Sequence, residues 1–190
     1  MSYAEEFATV DAILGCDVET LGVDAFALSL IKAERQMRKL FTHLAFQSPE
    51  FDYGDILPLR SSLAKNRNVY FSGFIAGWDA LYSRSVGDLV GAEYARLHNR
   101  IQEAIQHRNK IFHGQLTERF LFRSDLLAYV LDIRTWCSGL ATNSLAEVGY
   151  DGFGRISFQK STRLDVVGRL KVRMRSVAEY EAFIHDIMER

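Results

Sequence analysis

The sequence predicts a mostly α-helical bundle of four to five helices, followed by a small β-hairpin and a final helix. Three observations carry that expectation. Apolar residues recur at helical spacing over long stretches of the first 150 residues. Only two prolines in the whole chain interrupt them. After the turn-rich stretch Gly149-Tyr150-Asp151-Gly152-Phe153-Gly154, the period changes to two.

Taken in order, residues 24–46 read as a long helix. Asp24 is its N-cap, and Phe26, Leu30, Met37, Leu40, Phe41 and Leu44 form its apolar stripe. Ser48-Pro49 and the stretch Asp52-Tyr53-Gly54-Asp55 end it. A second helical region is expected from Pro58 to Tyr82, interrupted near Asn66-Arg67-Asn68. Ser85 with Asp88 has the form of a capping box. It opens a helix that bends at Gly91, continues to His113 and stops at Gly114. Ser124-Asp125 starts another long helix, which ends before Gly149. Residues 155–160 and 168–175 read as strands. Arg169, Lys171, Arg173 and Arg175 fall on one face of the second, and Leu170, Val172 and Met174 on the other. Ser176 and Glu179 cap a last helix to about Glu189. The chain thus divides into a helical bundle, 1–150, and a basic hairpin with C-terminal helix, 151–190, packed on it.

A net charge of −1 hides a polar distribution. Residues 1–31 carry six acidic side chains and no Lys or Arg, whereas residues 152–175 carry seven basic ones against Asp165 alone. The basic strand has three readings: it follows an RNA backbone, it is a solvated outer face, or it docks on the acidic N-terminal segment. The acidic start does not have the layout of a signal peptide, and no apolar run approaches the ~20 residues needed to span a bilayer. A cytoplasmic protein with no membrane partner is expected. Cys16 and Cys137 have no metal-ligand spacing and read as reduced core thiols.

The segment 94–113 carries the chemistry. On a helical wheel Tyr94, Leu97, Ile101, Ala104, Ile105 and Phe112 share one face, with Arg108 in its middle. His98, Gln102, Asn109 and His113 follow its polar border, and His107 and Lys110 point to solvent. A permanently charged guanidinium in an apolar stripe needs compensation. A buried carboxylate, a subunit interface, or an anionic ligand in a shared cleft would each supply it, and the last two are compatible.

Arg108-Asn109-Lys110-Ile111-Phe112-His113-Gly114 resembles the Arg-x4-6-His signature of the HEPN superfamily (higher eukaryotes and prokaryotes nucleotide-binding), in its form with a polar residue after the Arg. Two other pairs have similar spacing, Arg38 with His43 and Arg100 with His107, but neither Arg has that polar follower. The resemblance covers roughly residues 24–148, and beyond the signature it rests on architecture. It implies a HEPN-like helical bundle and a homodimer with two signatures facing each other across an interfacial cleft. It also implies an RNA substrate and a toxin–antitoxin or antiviral setting with an antitoxin or regulatory partner. The Tyr that some HEPN toxins carry two residues after the His is Gln115 here, so neutralisation by modifying that Tyr is not carried over.

The residue types suit cleavage of RNA by its own 2′-hydroxyl. A histidine titrates near neutral pH, so His113 can accept the 2′-hydroxyl proton or protonate the leaving 5′-oxygen. Arg108 offers a fork for two phosphate oxygens, and Asn109, one turn before His113, can hold its ring or a substrate oxygen. No acidic cluster accompanies the motif, so no metal or cofactor is expected. The products should be 2′,3′-cyclic phosphate and 5′-hydroxyl ends. A non-catalytic HEPN-like nucleic-acid-binding or dimerisation module is the alternative, and a helical adaptor with Arg108 in an ion pair is a more distant one. Tyr70, Phe71, Phe74, Trp78, Tyr82, Trp136 and Phe120–Phe122 read as core, and His43, His98 and His185 as isolated.

Overall fold

The structure, a computed structural model of the chain, describes residues 2–66, 68–154 and 156–189. Its first helix, α1 (Tyr3–Leu14), opens with a capping box in which Ser2 Oγ accepts from Glu5 N and the Glu5 carboxylate accepts from Ser2 N. The long helix α2 (Leu21–Ala45) begins three residues before the expected Asp24, which instead accepts a 2.7 Å hydrogen bond from Thr20 Oγ1. Phe26, Leu30, Ala33, Met37, Leu40, Phe41 and Leu44 recur along α2 at helical spacing and are buried. That stripe makes α2 the central element, packed on α7 (Arg123–Val148), α4 (Phe71–Leu81) and α1.

A 3-10 turn at Tyr53–Asp55 leads into α3 (Ile56–Lys65). The expected region from Pro58 to Tyr82 is therefore two helices, α3 and α4. Of the expected break between them, Arg67 lies outside the described residues. The Ser85/Asp88 capping box is present but opens only α5 (Val86–Val90). Gly91, at φ +86°, ends it, and α6 (Tyr94–Phe112) starts afresh, so the expected bent helix is two separate ones. α7 begins at Arg123, where the Asp125 carboxylate accepts from Phe122 N, and stops at Gly149, with φ +80°.

The β-hairpin does not form. Among the described residues the only β-bridges are Val69 with Glu189 and Tyr82 with Leu170. Arg155, the expected first residue of the first strand, lies outside the described residues. Within that segment and on either side of it, several backbone groups are taken by side chains of α2 and the turn after it. Lys39 Nζ donates to Phe153 O and Gly154 O, His43 Nδ1 sits 3.1 Å from Ser157 O, and Gln47 both donates to Gln159 O and accepts from Ser161 N. Backbone groups so occupied need no partner strand. The second expected strand starts inside a short helix, α8 (Asp165–Gly168), and then runs extended past the α4 C-terminus, where Lys171 N donates to Leu81 O and Ser83 N to Arg169 O.

The last helix, α9 (Val177–Phe183), is capped by Ser176 as expected and passes into a π-helical turn, Ile184–Met188. Tyr180 and Phe183 both stack on Phe41 of α2, each with ring centroids 6.2 Å apart. Their burial joins residues 177–188 to the same core as the bundle.

Candidate functional site

The core-facing stripe of α6 is Leu97, Ile101 and Ala104, all buried against the bundle. Beyond Ala104 the helix runs past the core, so Ile105 and Ile111 are half-buried and Phe112 is exposed. α6 is clamped to α7 by Arg96 and Arg100, which bind the two oxygens of Asp132 at 2.6 and 3.0 Å. Arg100 also lies 3.9 Å from the centroid of the Tyr129 ring. Its neighbour in the similar-spaced pair, His107, does not face solvent as the wheel suggests. It packs edge-on against Tyr129, and burial together with the Arg119 charge holds its pKa below that of an ordinary histidine.

Arg108 sits at the edge of the core, not in its centre. Its Nη1 lies 2.7 Å from Glu34 Oε2 on α2, and the two side chains are 20% and 30% exposed. Its Nε and Nη2 donate to Asn109 Oδ1 at 3.1 and 3.0 Å. A guanidinium has five N–H groups. These three bonds leave one on Nη1 and one on Nη2 for another acceptor. Asn109 thus holds the guanidinium, a role different from the expected one of holding His113. Glu34 is the functional neighbour that the sequence pattern does not single out. It lies 74 residues from Arg108, and no spacing within either helix links the two.

His113 is the C-cap of α6. Gly114, at φ +63°, closes a turn in which Gln115 N donates to Lys110 O and Gly114 N to Ile111 O. That 6→1 and 5→2 pair is a Schellman motif, which explains why a glycine follows the histidine. The imidazole is exposed, five residues and so more than one helical turn beyond Arg108.

Around this end of α6 the surface is apolar. Phe112, Leu116, Phe120 and Phe122 are exposed, Leu116 and Phe120 almost completely, at 94% and 90%. Phe120 and Phe122 are therefore not core residues as expected. With Ile111, Leu121 and Val23 of α2, Leu116 and Phe120 line a groove of about 320 Å³.

The expected basic strand does not present its four cations together. Arg169 is half-buried, stacks over Tyr82 and forms an ion pair with Glu147, and Lys171 Nζ donates to Asp79 O. Arg173 and Arg175 remain exposed. The acidic N-terminal segment is engaged elsewhere: Glu6 pairs with Lys32 and Arg35, and Asp11 with Arg134.

The remaining candidates fall into place as structure. His43 is buried between Ser157 O and Val148 O, stacked on Tyr150. His98 stacks on Tyr94. Phe71, Phe74, Trp78, Tyr82 and Trp136 are buried as expected, whereas Tyr70 is exposed. Both cysteines are free, Cys137 in the core and Cys16 on the surface at the end of α1, contrary to its expected burial. Among the described residues no group of His, Cys, Asp and Glu has metal-binding geometry, and no helix is long and apolar enough to cross a membrane. The fold and site together define an all-helical bundle with a cationic and imidazole pair at one helix end. Comparison with protein-family models, curated proteins and solved structures finds no match for the chain.

Proposed function

We propose that this chain is a metal-independent endoribonuclease of the HEPN type, working as a homodimer with its active site at the interface. The observation that carries the reading is the C-terminal end of α6, where Arg108 and Asn109, just before the last turn, and an exposed His113 at the C-cap lie beside exposed apolar side chains. The resemblance of the same residues to the HEPN signature supplies the reaction class.

In this reading the two free N–H groups of Arg108 bind non-bridging oxygens of the scissile phosphate, while Glu34 and Asn109 fix the guanidinium from behind. His113 of one protomer takes the 2′-hydroxyl proton or gives one to the leaving 5′-oxygen, and its partner's copy supplies the other transfer. Attack of the 2′-oxygen on phosphorus breaks the bond to the 5′-oxygen and leaves a 2′,3′-cyclic phosphate and a 5′-hydroxyl. The defence or toxin setting, the antitoxin and the cytoplasmic location come from the resemblance and the composition and belong to the same proposal. The arm 169–175 contributes to RNA binding chiefly through Arg173 and Arg175, since Arg169 and Lys171 are engaged within the fold.

The alternative, a non-catalytic binding module, is favoured by the Arg108–Glu34 ion pair, which already neutralises the guanidinium. One experiment separates them. Purified protein is incubated with total RNA in EDTA beside Arg108→Ala, His113→Ala and the surface control His185→Ala. The ribonuclease reading requires cleavage with cyclic-phosphate ends that the first two substitutions abolish and the third leaves intact. Binding without cleavage in every protein would establish the module.

A further inference from the structure

A second concave surface opens on α2 one helical turn beyond Glu34. It is a groove of about 490 Å³ between α2, α3 and residues 156–158. Arg38 and Lys39 approach it from α2 and Arg60 from α3, with Leu63, Ile156 and Phe158 forming its apolar walls. None of the described lining residues is acidic.

Arg38 and Lys39 are held in place without being neutralised, and Arg60 is exposed. Arg38 lies 5.6 Å from the Phe74 ring centroid, and neither Arg38 nor Arg60 forms an ion pair among the described residues. Lys39 spends two of its three N–H groups on Phe153 O and Gly154 O. The acids in the neighbourhood are committed elsewhere. Asp151 accepts from Phe153 N and Gly154 N, and Glu6 binds Lys32 and Arg35. Glu50, Asp52 and Asp55 bear on Lys160. Three like charges converging on one partly enclosed surface, with no carboxylate among them, concentrate a positive potential there.

We infer that this groove seats a single-stranded RNA segment flanking the scissile phosphate, with phosphates on Arg38, Lys39 and Arg60 and a base against Phe158 and Leu63. The inference rests on the ribonuclease reading, because it makes the groove an extension of that site. Glu34, which holds Arg108, and Arg38 lie four residues apart on α2, so a strand leaving Arg108 along this helix meets Arg38 next. A cationic track with an aromatic and aliphatic wall suits an unpaired strand, whose base faces are free to pack. A duplex keeps those faces stacked inside.

The test is binding of a short fluorescent 2′-O-methyl oligoribonucleotide, which cannot be cleaved, to wild type, Arg38→Gln/Arg60→Gln and His185→Ala over a range of salt. Both arginines are exposed, so the double variant should fold, and circular dichroism checks that it does. The double variant should bind roughly tenfold or more weakly. Its plot of log affinity against log salt should be shallower by about 1.4, at about 0.7 for each lost phosphate contact. The surface control His185→Ala should bind as wild type. Equal affinity and slope in the double variant would overturn the groove, as would a duplex competing as well as a single strand. In the separate assay with total RNA, cleavage that persists in His113→Ala would instead overturn the ribonuclease reading, whatever the groove does.

Discussion

In the proposed ribonuclease Arg108 binds the scissile phosphate, and its hydrogen bonds make a prediction. Glu34 and Asn109 occupy three of its five donors, so the guanidinium is oriented before any phosphate arrives. Glu34→Gln keeps the size but removes the charge that pins Nη1. In a pair this exposed, the loss should lower stability by only about 1 kcal/mol. Its effect on RNA cleavage should be larger, roughly tenfold in kcat with little change in KM, because a positioning group acts in the transition state. Arg108→Lys should fail to restore activity, since one ammonium cannot replace a planar fork with fixed partners. Cleavage kinetics on a defined RNA, with urea unfolding of each variant, check both points. Equal kcat in Glu34→Gln would make the pair purely structural. The sequence shows that Arg108 needs compensation, because its spacing sets it among Leu97, Ile101 and Ala104. It does not show that Glu34 supplies it, because the two residues meet only through the packing of α2 beside α6. The error at His107 has a similar origin: a wheel describes one helix and knows nothing of Tyr129 on the next.

At the scale of elements, most helices are legible in the sequence, whereas α1, the separation of α5 from α6 and the absence of the hairpin are not. Long apolar stripes, the Ser85/Asp88 and Ser176 caps, and the stops at Gly114 and Gly149 mark helix limits through local chemistry that needs no tertiary contact, whereas Gly91, expected as a bend, ends one helix before another begins. Alternation in 169–175 is partly kept: Leu170 and Met174 are buried and Lys171, Arg173 and Arg175 exposed, but Val172 is exposed as well and Arg169 is half-buried. Extended backbone gives that period with or without a partner strand. In place of a partner strand, Lys39, His43 and Gln47, four residues apart on one side of α2 and the turn after it, engage Phe153 O, Gly154 O, Ser157 O, Gln159 O and Ser161 N. Burial holds His43 below the ordinary histidine value. The unfolded chain therefore binds a proton that the folded chain resists, and stability is full above about pH 6.5 and is lost as pH falls toward the folded-state value. The urea midpoint should drop between about pH 7.5 and about pH 5.5, and drop less in His43→Gln, whose amide can still donate to Ser157 O. Parallel pH dependence in the two proteins would remove His43 from that role. A second element-scale prediction concerns the crossing of α4 by the C-terminal turn. A Cβ on Gly73 would lie 2.2 Å from Met188 O, a backbone atom that cannot swing aside. Gly73→Ala should destabilise the fold by about 1–3 kcal/mol, read from the same urea transition.

For the whole molecule, the decisive feature is where apolar surface is left over. Trp78, Trp136, Tyr129 and Phe26 are fully buried, so the chain does not lack a core into which aromatic side chains can go. Phe112, Leu116, Phe120 and Phe122 nevertheless stay outside, in or just after the turn that presents His113. Exposed aromatics gathered at one end of a protein mark a surface that another surface covers. Under the dimer reading that cover is a second copy of the same end, which brings two His113 side chains and two Arg108 side chains toward one cleft. It also explains why the apolar end and the polar pair coincide: the residues that exclude water from the interface exclude it from the phosphate as well. Leu116→Glu/Phe120→Glu places two like charges on each copy of that surface without touching Arg108, Asn109 or His113. Sedimentation should show a dimer for wild type and a monomer for the double variant, with an unchanged circular dichroism spectrum. Cleavage should fall by the same factor as Arg108→Ala, at about 10²–10³. A monomeric variant that still cuts at the wild-type rate would show that each chain carries a complete site and that the apolar end serves some other contact.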